Sequence, residues 1–245
     1  MQRIGIVPLK FLALEQVRKM ILDLNRQFFG DYISATAEIV LLRQYIGRMD
    51  VSLADAQGAC ATSVQTIPEA AEMIAADEAD LICRADSEIL NVGFVISVAI
   101  FLEKQLREYT DALRQAENLG LGLQDISGSL PERFRKYCLH IARLPALTSQ
   151  TTWQDICGFM DIRNCLVHKD GRLDGFGKAD AVREFVRRHG TPEIQDGVLV
   201  VTSKTSHKCL DIVNEFIKAA YHVALDKYKP RIGRRNSNKA EAGDA

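Results

Sequence analysis

Along most of the chain, apolar residues recur at intervals of three and four, the spacing that lines one face of a helix. The stretch from Leu9 to Phe29 sets Leu, Ile and Phe against Lys, Arg, Asp and Gln in this rhythm and predicts an amphipathic helix. Gly30 is expected to break it, with Asp31 capping a second helix from Tyr32 to Tyr45. Between Arg48 and Thr66 the rhythm fades among Gly, Ser, Thr and Ala, which predicts a loop or a weakly helical connector. Pro68 then suits a first helical position, and Glu69 and Glu72 follow it in a helix to about Ile82.

The longest helix is expected from Asp86 or Ser87 to about Leu119. Its first half, through Val92, Val95, Ile96, Ala99, Ile100 and Leu102, is apolar almost all round. Gly120, Gly122 and Gly128 mark a loop, and Pro131 opens a helix that Pro145 ends. Another helix begins near Ser149 or Thr151, and a shorter one spans about Ala179 to Arg188. The one β signal is Val198 to Val201 after Asp196-Gly197, a favoured hairpin turn, within Thr191–Ser203. A final amphipathic helix runs from about Thr205 to Tyr228, where Pro230 stops it. The pattern is that of an all-α helical bundle with a small β-hairpin near residues 192–202. Three parts are expected: residues 1–85, a helical segment; 86–228, the bundle; and 229–245, a disordered basic tail.

Composition alters this picture little. The 245 residues are 47% hydrophobic and 26% charged, enough apolar material for a real core. A net charge of -1 means that any affinity for nucleic acid must come from a local patch. Six cysteines are scattered without a CxxC pair, so buried free thiols in a reducing compartment are expected. No HExxH, DxD or phosphate-binding Gly loop appears, and neither a metal nor a cofactor is expected. The apolar run Val92 to Leu102 is short for a membrane span, and the expected location is cytoplasmic.

Chemistry concentrates in Phe159-Met160-Asp161-Ile162-Arg163-Asn164-Cys165-Leu166-Val167-His168-Lys169-Asp170-Gly171. Ile156, Phe159, Met160 and Val167 hold helical spacing, Lys169 fills the last turn, and Gly171 stops the helix. Asn164 and His168, four apart, share a face. Arg163 and His168, five apart, diverge by roughly 140°. Such a pair chelates a small ion poorly, but it can line a cleft or reach across an interface.

Arg163-Asn164-Cys165-Leu166-Val167-His168 resembles the Arg-polar-x3-His motif of HEPN domains, the higher eukaryote and prokaryote nucleotide-binding family. The likeness extends over about residues 87–228, including the apolar long helix with Glu103, the His168-Lys169-Asp170-Gly171 exit and the last helix. It implies a HEPN-type bundle and a metal-independent endoribonuclease of a defence or toxin–antitoxin system, working as a homodimer. The Arg and His of two protomers would then face each other across a cleft. An imidazole titrates near pH 6.5, at about the right place to move a proton. A guanidinium stays charged and offers forked donors to phosphate. The implied roles are His168 as general acid/base, Arg163 as phosphate clamp and Asn164 as orienter of the imidazole, with Lys169 and Arg172 holding the RNA backbone. Where some family toxins carry a Tyr two residues after the His, this chain has Asp170, so regulation through that tyrosine is not implied.

Plainer readings stand beside this one. Arg163 is able to pair with Asp161 or Glu103, while His168 merely caps its helix. The module then binds RNA, nucleotide or protein without cutting, as it would if His168 were buried. A third reading, an antitoxin or immunity partner, would use Glu69, Glu72, Asp77, Glu78 and Asp80 as a contact surface. His140, His189, His207 and His222 show no partner spacing and read as structural or surface residues.

Overall fold

The structure, a computed structural model, describes residues 9–64, 69–148 and 151–228. Among the described residues, six α-helices and one two-stranded hairpin make up an all-α fold with a small β element. Helix α1 spans Leu9–Val64 and α2 Glu69–Glu117. After a short 3-10 turn come α3, Leu130–Lys136, and a π-helical turn over Tyr137–Ile141. Then follow α4, Thr151–Lys169, and α5, Ala179–His189. Strands β1, Glu193–Gln195, and β2, Val198–Val200, pair antiparallel across Asp196-Gly197, and α6, Ser203–Lys227, closes the bundle.

The first two helices differ from the sequence expectation. Gly30 does not break α1, Asp31 is not a cap, and residues 48–64, expected as a loop or a weakly helical connector, continue the same helix. A glycine in a helix costs only about 1 kcal/mol. Against that, Phe28, Ala35, Ile39, Ile46 and Met49 hold one continuous buried face through the predicted break. Likewise α2 runs unbroken from Glu69, so residues 84–86, the expected edge of the bundle, lie inside a helix. Helix α1 packs on α2 and α6, which also pack on each other and on α4. Arg43–Asp211 and Lys104–Glu38 pin α1 to its two neighbours at 2.5 and 2.7 Å.

The core is rich in rings. Tyr109, Phe134, Trp153, Phe216 and Tyr221 pack edge to face, stacked or tilted at 5.4–6.2 Å, joining α2, α3, α4 and α6. Tyr109 also donates its hydroxyl to the Ala220 carbonyl at 2.9 Å. The segment Ala85–Glu117 is long and apolar enough to cross a membrane by length and composition, and 39% of its apolar window is buried within the fold. The free thiols of Cys138, Cys165 and Cys209 are buried and that of Cys157 half-buried. Met1–Pro8, the basic tail and the side chains of Cys60, Cys83 and the Glu69–Asp80 carboxylates lie outside the described residues.

Candidate functional site

The motif occupies the last two turns of α4. Ile156, Phe159, Met160, Ile162, Cys165 and Leu166 turn inward, which fixes the orientation of the polar residues between them. Gly158 lets α5 approach closely: a methyl there would meet the Phe185 ring at 2.6 Å. At the exit, Asp170 and Gly171 take left-handed backbone at φ of 50° and 77°. The Gly171 N–H bonds the Cys165 carbonyl at 3.2 Å, and its carbonyl accepts from Leu199 N–H at 3.0 Å. Leu173 N–H reaches the Gly197 carbonyl at 2.9 Å, and the Cys165 thiol donates to the Arg172 carbonyl. The hairpin therefore clamps the loop that carries Lys169 and Arg172.

His168, Lys169 and Arg172 are exposed, and Arg163 and Asn164 are half-buried. Arg163 Nη1 donates to Asn164 Oδ1 at 3.0 Å, while its buried Nε has no acceptor. Among the described residues no carboxylate pairs with Arg163. Asp161, one candidate, takes Lys178 at 2.8 Å instead, and Glu103 takes Arg107 at 3.4 Å. Nor does Asn164 hydrogen-bond His168; its carbonyl orients the guanidinium rather than the imidazole. A desolvated donor without a partner costs about 1–3 kcal/mol, so the buried Nε is a local cost to the fold rather than a contact surface.

Trp153, Cys157 and Asp161 follow one another by four on α4 and lead towards Asn164 and His168. They line a cleft of about 290 Å³ together with Arg135 and Lys178. Burial pushes the Asp161 carboxyl up and outweighs the opposing pull of Lys178. The same lack of water pushes the Cys157 thiol up to about 11. Neither Arg135 nor Lys178 was singled out from the sequence; they come from α3 and from just before α5, and only folding brings them to α4. Elsewhere, His189 bonds Asp155 at 2.9 Å and His207 bonds Asp50 at 3.1 Å. These pairs span 34 and 157 residues, so no local spacing announces them.

Comparison of the chain with protein-family models, curated protein sequences and solved structures finds no match in any of the three.

Proposed function

We propose that this chain is a metal-independent endoribonuclease of HEPN type, acting in a defence or toxin-type system on RNA in the cytoplasm. Two copies complete the site, because Arg163 and His168 of one helix diverge too far to act on one phosphate. The observation that carries the reading is the contrast between these two side chains. His168 is exposed, while Arg163 is half-buried with a guanidinium that no carboxylate among the described residues neutralises. A non-cutting module favours a buried histidine, and this one reaches solvent beside Lys169 and Arg172.

In the proposed reaction the ribose 2′-oxygen attacks phosphorus and the bond to the 5′-oxygen breaks. A neutral imidazole takes the 2′-hydroxyl proton, and the partner's protonated imidazole gives one to the departing 5′-oxygen. The products are a 2′,3′-cyclic phosphate and a 5′-hydroxyl, so no water is consumed in this step. Arg163, steadied by Asn164, holds the phosphate oxygens, and Lys169 and Arg172 hold the flanking backbone.

The test is RNA cleavage in excess EDTA by wild type, His168→Ala and Arg163→Ala at matched fold and oligomeric state. Each variant should lose about 10²–10⁴-fold in rate. Arg163→Lys should remain impaired, because a point charge does not reproduce the fork. Cutting that survives both alanine substitutions rejects the site.

A further inference from the structure

Helix α1 carries a second apolar face, turned away from the core. Ile33, Ala37, Val40, Gln44, Gly47, Val51, Ala54 and Gly58 alternate by three and four along it without a charge. Ile33, Val40 and Val51 are 53%, 48% and 61% exposed. Nothing lies within 4 Å of the positions where Gly47 or Gly58 would carry a methyl. Leu41, also exposed, flanks the face on one side. This is the spacing of a coiled-coil seam, and among the described residues no second helix covers it.

We propose that this seam pairs with the same seam of a second copy, antiparallel about a two-fold axis. The flanking charges select the direction. Parallel pairing in register would set Arg43 against the other copy's Arg48, and Asp50 against its Asp55. Antiparallel pairing brings Arg43 beside the other copy's Asp50, twice by symmetry. Both side chains remain partly exposed although they also bond Asp211 and His207 within the chain. In that register Ile33 meets Gly58, Ala37 meets Ala54, Val40 meets Val51 and Gln44 meets Gly47, so the bulkiest residue faces the smallest. The seam is about 38 Å long at 1.5 Å per residue. With a helix width of about 10 Å it covers on the order of 400 Å² per copy, which suits a weak, concentration-dependent dimer. A membrane is the poorer occupant, since Asp50 and Asp55 flank the face as closely as Arg43 and Arg48 do. The pairing does not depend on the proposed RNA chemistry.

Sedimentation velocity of the full chain over a concentration series tests it, with circular dichroism to check the fold. The wild type should pass from monomer to dimer in the micromolar range, and Val40→Glu should raise the midpoint at least tenfold. Val40→Glu combined with Val51→Lys should restore it, because the introduced charges face each other only in the antiparallel register. A wild type that stays monomeric, a dimer indifferent to Val40→Glu, or a double variant that stays monomeric overturns the proposal. So does wild-type chain that stays monomeric but sediments with phosphatidylcholine–phosphatidylserine vesicles in a Val40-dependent way. RNA cleavage is not read in this experiment: a dimer indifferent to Val40→Glu overturns this pairing and leaves the two-copy nuclease reading standing, whereas a wild type that stays monomeric counts against both.

Discussion

Arg163 and Asp161 stand two positions apart on α4, yet their surroundings solve opposite problems. Asp161 is a buried carboxylate that has its cation, Lys178, whereas Arg163 is a half-buried cation without a carboxylate among the described residues. Removing Lys178 should therefore destabilise the fold by leaving Asp161 desolvated and unpaired. Because Lys178 is more than half exposed, the cost of Lys178→Met is expected at only about 1–3 kcal/mol near neutral pH. Its pH dependence has a definite sign. The folded Asp161 carboxyl titrates above its unfolded value, so burial penalises the charged form. That penalty is present above the raised folded value and disappears as pH falls towards the unfolded value of about 3.9. Denaturant unfolding of wild type and variant from pH 7 to pH 4 should show the gap closing.

At the scale of elements, the motif depends on two close approaches made by glycine. Gly171 holds φ of 77°, and a methyl on it would lie 3.3 Å from the Leu199 carbonyl. Gly171→Ala should cost about 1–3 kcal/mol and loosen the hairpin clamp on the α4 exit. A lower melting temperature and faster amide exchange in residues 197–199 are the expected readouts. Gly158→Ala forces α5 away from α4, because the new methyl would overlap the Phe185 ring. A loss of about 1–3 kcal/mol in thermal unfolding is expected there. The helix–turn–strand logic around the motif was legible in the sequence: Lys169 and Gly171 as a stop, Asp196-Gly197 as a turn. Their docking was not, since the bonds between Gly171 and Leu199 join segments 28 residues apart with no shared period.

Across the whole molecule, α1 is part of the core that holds the motif. Phe28 is fully buried and stacks on Tyr228 at 5.3 Å, near the end of the chain. Phe28→Ala should cost about 3–5 kcal/mol. It should shift a single unfolding transition seen by both far-ultraviolet circular dichroism and Trp153 fluorescence. Were residues 1–85 an independent unit, Trp153 would report no change.

The amino-acid sequence by itself determined the all-α class, the hairpin and the local grouping of Arg163, Asn164 and His168, because each follows from spacing within a few residues. It misread Gly30, where local propensity favours a break, and left residues 48–64 open between loop and helix. Packing of α1 against α2 and α6 outweighs a glycine penalty of about 1 kcal/mol. Only the tertiary structure decided that Asp161 belongs to Lys178, that Asn164 serves Arg163, and that His168 reaches solvent. Those outcomes depend on which charges and which faces long-range packing brings together, and no local period records that.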